Sequence, residues 1–128
     1  MKNILLVEDE QFLANLLKIR LEKEGFIVHH AAEGQEALNF IKELKLDLIL
    51  LDIILPKLSG FEILEAIRAD SRLQDIPVMI ISNLGQENDI SRGQSLGAVE
   101  YIVKATVSID ELIGQIKKNL KITESSPL

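Results

Sequence analysis

The chain has 128 residues, 47% of them hydrophobic and 27% charged, with a formal net charge of −6. That length suits one domain with a real core, and the composition excludes a disordered chain. The absence of cysteine excludes disulfides and thiolate metal sites, no apolar run approaches the ~18 residues of a membrane helix, and an acidic chain without a basic stripe is not expected to bind nucleic acid directly.

The first apolar run, "NILLV" (3–7), predicts a strand that runs into Glu8-Asp9-Glu10. This acidic turn, with no small-residue cleavage site, argues against a signal peptide and for a cytoplasmic protein. Residues 10–24 place Leu13, Leu16, Leu17 and Leu21 on one helical face, with Gly25 at the expected end. Phe12 and Ile19 flank that stripe and read as a wide buried face, with a docking edge for a partner's helices as the other reading. "IVHHA" (27–31) predicts the second strand. Its adjacent His29 and His30 point to opposite faces, which suits a structural role better than a shared metal site.

Residues 34–45 form a second helical pattern through Ala37, Leu38, Ile41 and Leu44. "LDLILLD" (46–52) is apolar almost continuously until Asp52. Residues 60–69 carry Ile63, Leu64 and Ile67 behind the capping box Ser59-Gly60-Phe61-Glu62. "PVMIIS" (77–82) predicts the fourth strand, and residues 86–96 a weak helix containing Ser91, Gly93 and Ser95. Gly93 alone costs ~1 kcal/mol relative to Ala. "EYIVK" (100–104) predicts the fifth strand. A second capping box, Ser108 to Glu111, opens a helix over 109–120 carrying Leu112, Ile113, Ile116 and Leu120. The expected division is a domain over 1–121 and a flexible tail over 122–128.

Strict alternation of strands and helices predicts a parallel sheet covered on both faces. Ligands of such sheets bind beyond the carboxyl ends of the strands, at the switch in strand order. Glu8, Asp9, Asp52, Ser82 and Lys104 all fall at strand exits, which explains why so apolar a run stops at a carboxylate. Two carboxylates ~4 Å apart repel by ~4 kcal/mol at an effective dielectric near 20, so such an edge calls for a cation. Oxygen-only ligands favour Mg2+. An aspartate there can take a phosphoryl group, with Lys104 supplying positive charge and Ser82 a hydrogen bond to a phosphoryl oxygen.

The segments "ILLVEDE", "LILLDIILPKLSG", "PVMIISNLGQ" and "GAVEYIVKA", in this order and spacing, resemble the receiver domain of bacterial two-component response regulators. The resemblance runs from about Lys2 to Leu120. It implies a flavodoxin-like (βα)5 fold, with strand order 2-1-3-4-5. It further implies Asp52 as phosphoacceptor, with Glu8, Asp9, Asp52 and the Ile54 backbone carbonyl around Mg2+. Ser82 and Lys104 would bind the phosphoryl group, and Tyr101 matches the aromatic switch position. The implied donor is a sensor histidine kinase or phosphotransfer protein. The output would be a downstream protein target met by the fourth helix, fifth strand and fifth helix, on a monomer or a phosphorylation-dependent weak dimer.

Two departures from the family pattern stand beside the site. Lys104 is followed by Ala105 instead of proline, which predicts a trans or strained loop, since a cis bond before a non-proline residue costs ~2.5–4 kcal/mol. Asn83 follows Ser82 where the family favours a small residue, so Asn83 and Ala105 are read as modulators. Asp110 lies where dimer-forming members tend to carry Arg, which argues against that dimer type. Dedicated enzymes fit poorly: Ile54 occupies the position of an aspartate-nucleophile phosphatase's second Asp, and no G-x-x-x-x-G-K-[ST] loop is present. The expectation is therefore a self-catalysed switch and not a dedicated enzyme. A degenerate receiver acting as a phosphorylation-independent scaffold is the alternative.

Overall fold

Alternate residues of each strand feed two separate apolar layers, as expected for a sheet covered on both faces. A computed structural model describes residues 2–120, so the tail expected over 122–128 lies outside the described residues. The strands are β1 (Asn3–Val7), β2 (Ile27–Ala31), β3 (Leu48–Leu51), β4 (Val78–Ser82) and β5 (Glu100–Val103). They are all parallel, in the order β2-β1-β3-β4-β5. The helices are α1 (Gln11–Lys23), α2 (Gly34–Glu43), α3 (Gly60–Ala69), α4 (Glu87–Ser95) and α5 (Ile109–Asn119).

Ile4, Leu6, Leu50, Met79 and Ile81 pack beneath α1 and α5 with Leu17, Leu21, Leu112 and Ile116. Leu5, Val7, Ile49, Leu51 and Ile80 pack on the other face with Ile41, Ile63, Leu64 and Ile67. Both capping boxes form: Ser59 accepts from Glu62 N–H and Ser108 from Glu111 N–H, with each Glu returning the bond. Gly25 and Gly97 end α1 and α4 at φ +96° and +94°, the left-handed conformation that a Cβ disfavours.

Three strands are shorter than the sequence predicts. The chain enters β3 through Asp47, whose carboxylate takes the Asn3 N–H at 2.7 Å, and the ladder proper begins at Leu48. Pro77 has no N–H, and β4 starts after it. Lys104 leaves β5 to open a 3-10 turn over Lys104–Thr106. No peptide bond among the described residues is cis, so Lys104–Ala105 is trans.

The wide buried face expected along α1 does not form. Phe12 is 78% and Ile19 53% exposed, because no neighbouring element reaches that side of the helix. α4 has one buried residue, Gly93. That glycine is a fitting position as well as a weak one: a Cβ on it would lie 2.7 Å from Ile80 Cδ1 and 2.8 Å from Tyr101 Cδ2. Asp110 pairs within the chain, its carboxylate 2.6 Å from the Arg20 guanidinium.

Candidate functional site: an acidic pocket at the strand exits

The register builds the site. Val7 pairs with Leu51, so Glu8 and Asp52 leave neighbouring strands side by side. Ser82 pairs with Val103, which brings the next residue, Lys104, to the same edge. Glu8, Asp52 and Ser82 are buried, at 2%, 5% and 0% exposure. Asp9 is exposed at the rim.

One ammonium faces both buried acids. Lys104 Nζ lies 2.7 Å from Glu8 Oε1 and 2.8 Å from Asp52 Oδ2. The second oxygen of Asp52 accepts the Ile54 N–H at 3.1 Å, and the second oxygen of Glu8 accepts the Glu10 N–H at 3.1 Å. Asp52 is thus fixed in orientation from two sides. Gly60 backs it so closely that a Cβ there would lie 2.2 Å from the Asp52 carbonyl oxygen. Burial raises the Glu8 pKa above the ordinary carboxylate value, and the Lys104 hydrogen bond opposes this only in part. For Lys104, burial works against the charged form, but the bonds to Asp52 and Glu8 outweigh it and raise its pKa.

Glu8, Asp9 and Asp52 can each offer an oxygen within 4.8 Å of the others. Three carboxylates against one ammonium leave a net negative pocket built of hard oxygen donors. That donor set fits a divalent cation such as Mg2+, which takes one or two carboxylates with waters and a phosphate oxygen.

Beyond the acids, Leu84 joins the hydroxyl to the aromatic. Its N–H donates to Ser82 Oγ at 3.3 Å, and its carbonyl accepts the Tyr101 hydroxyl. The Tyr101 ring packs against Gly93 of α4, half-buried. Burial first, then the charges of Asp89 and Asp52, raise the Tyr101 pKa and keep the phenol protonated as a donor.

The structure therefore brings Glu8, Asp9, Asp52 and Lys104 together, places Ser82 at the same sheet edge by register, and links Ser82 to Tyr101 through Leu84. Asn83 and Ala105 are both exposed beside this set. Sequence reasoning missed Gly60 behind Asp52, although a glycine directly after a helix cap and close to an acid was a readable cue. It also missed Arg92, which sits 4.3 Å over the Phe61 ring and ties α4 to α3. The His30 ring contacts the Glu8 carbonyl oxygen at 2.7 Å; no sequence pattern foretells such a contact.

A parallel sheet with buried acids, a hydroxyl and a lysine at its strand exits is an arrangement chemically able to accept a phosphoryl group. Residues 4–117 match the response regulator receiver domain family, and the chain belongs to it. It is 34% identical to the DNA-binding dual master transcriptional regulator RpaA of Synechocystis sp. over 127 residues, covering 99% of this chain and 52% of RpaA. It is 36% identical to the probable transcriptional regulator ycf27 of Guillardia theta, covering 98% of this chain and 48% of that protein. The chain thus spans about half the length of the curated relatives it matches. A CheY-like receiver domain protein of Methanospirillum hungatei superposes with a TM-score of 0.88 at 30% identity, with 97% of each chain covered. Among the described residues no helix is long and apolar enough to cross a membrane.

Proposed function

We propose that the chain is a cytoplasmic switch that takes a phosphoryl group onto Asp52 in a Mg2+-dependent reaction. The observation that carries this reading is the convergence of Glu8, Asp9, Asp52 and Lys104 at one sheet edge, where the register also places Ser82. The donor is a phosphohistidine of a sensor kinase or phosphotransfer protein. An oxygen of Asp52 attacks phosphorus, the P–N bond breaks, and the imidazole leaves with its electron pair and takes up a proton. Bound Mg2+ supplies charge neutralisation for the acids and for the developing phosphoryl oxygens. Glu8, Asp9, Asp52 and the Ile54 carbonyl would hold it.

In this chain Lys104 keeps Glu8 and Asp52 compatible before transfer and pairs with a phosphoryl oxygen after it. Ser82 donates to another phosphoryl oxygen, exchanging its bond from the Leu84 N–H for the new one. Leu84 then passes the change to Tyr101 and so to the surface of α4, β5 and α5, where a downstream protein binds. Transfer and hydrolysis are self-catalysed, so the chain is not a dedicated enzyme. Asn83 and Ala105, exposed beside the pocket, would modulate access and phosphoryl lifetime. With a net charge of −6, these residues are not proposed to contact nucleic acid; RpaA, named as DNA-binding, is a protein about twice as long. Against a scaffold that works without phosphorylation stands the contact of Lys104 with both buried acids beside Asp9.

Beryllofluoride, which mimics an aspartyl phosphate, tests this reading. With Mg2+ present it should bind wild type and change the fluorescence of Tyr101, the sole tyrosine in a chain without tryptophan. The same addition should do nothing to Asp52→Asn. A response that survives in that variant would overturn the assignment of Asp52.

A further inference from the structure

We propose that His30 is a positioning residue for the metal site, holding the peptide that joins Glu8 to Asp9. This inference rests on the Mg2+ reading given above. His30 Nε2 lies 2.7 Å from the carbonyl oxygen of Glu8. A carbonyl can only accept, so Nε2 carries the hydrogen and the ring donates. One residue further along β2, the Ala31 carbonyl accepts the Glu8 N–H at 3.0 Å. The end of β2 therefore bonds both peptide groups of Glu8 at the point where the chain leaves β1.

The consequence falls on Asp9. The Glu8 side chain is anchored by Lys104 and by the Glu10 N–H, and Asp52 by Lys104 and the Ile54 N–H. Asp9 is exposed, and no hydrogen bond or ion pair among the described residues holds its carboxylate. It still stands close enough to offer an oxygen within 4.8 Å of the other two acids. Its place is set by its backbone, and the carbonyl on the near side of that backbone is the one His30 holds. His29, on the opposite face, packs against Phe40 with the two rings tilted by 43° and reaches Asn3, so the two histidines do separate work.

Groups that orient metal ligands cost about 10- to 100-fold in metal affinity when removed. His30→Phe keeps a ring and removes the donor, whereas His30→Gln keeps an N–H able to reach the carbonyl. Mg2+ affinity of the whole chain would be measured by isothermal titration calorimetry for wild type, both variants and Asp9→Asn. The expected result is a loss of about 10-fold or more in His30→Phe, with most of it recovered in His30→Gln. Wild-type affinity in His30→Phe would overturn the inference, as would a Gln variant no better than Phe. Should either variant fail to fold, the wild-type ring decides. Its Nε2–H proton resonance must be protected from exchange and must move on adding Mg2+; a resonance indifferent to the ion overturns the proposal. If wild type binds no Mg2+, the metal reading falls and the inference with it. If wild type binds, Asp9→Asn does not and His30→Phe does, only the inference falls.

Discussion

Lys104 holds its ammonium 2.8 Å from Asp52 Oδ2 in a pocket where its own side chain is 13% and that of Asp52 5% exposed. The same nitrogen serves Glu8, so a single lysine makes two buried carboxylates tolerable.

Replacing Lys104 by Met should therefore leave two acids facing each other without a counter-charge. Breaking a buried pair in this way costs about 3–5 kcal/mol. Urea unfolding at neutral pH in EDTA should show a loss of about that size, and added Mg2+ should restore much of it. A variant as stable as wild type in EDTA would show that the lysine does not balance the pocket.

The raised pKa of Glu8 gives the metal-free protein a pH dependence of known sign. Between the ordinary carboxylate range and the raised folded value, the folded state binds more protons than the unfolded one. Stability from this group is thus fully present at the lower pH and lost as pH rises through the folded pKa. The Lys104 contribution is lost only in the alkaline range, above the ordinary lysine value, and does not enter this window. Urea midpoints across the acid-to-neutral range should fall with rising pH more steeply in wild type than in Glu8→Gln. Parallel curves would contradict the assignment.

Gly93→Ala tests the seat of Tyr101. The added Cβ meets Ile80 and the tyrosine ring at under 3 Å, and overpacking of this kind costs about 1–3 kcal/mol. The gain in helix propensity returns at most about 1 kcal/mol. The expected net effect is a lower Tm and greater acrylamide quenching of the sole tyrosine, as its ring leaves the Leu84 carbonyl. A stabilised variant with unchanged quenching would mean that α4 moves freely to make room.

The element order, the parallel sheet and the acid edge were legible because strand exits are fixed by where apolar runs stop. Asp52 was the plainest case: a carboxylate directly after a fully buried strand has to sit where the chain leaves the sheet, among groups that can partner its charge. The side of α1 bearing Phe12 and Ile19 was read wrongly because helical periodicity gives a direction and not whether another element covers it. Phe12→Ser should accordingly change stability by no more than about 0.5 kcal/mol in thermal unfolding. Gly93 looked like a flaw in a helix because its neighbours, Ile80 and Tyr101, come from other elements. The His30 contact was invisible for the same reason, its partner being a backbone oxygen just past the end of another strand.

Intact mass after incubation with acetyl phosphate and Mg2+ tests the central claim most directly. Acetate should leave as the carboxylate of Asp52 takes the phosphoryl group. The account predicts one added phosphoryl group in wild type, absent in EDTA and absent in Asp52→Asn. No added mass in wild type, or an equal addition in Asp52→Asn, would contradict it.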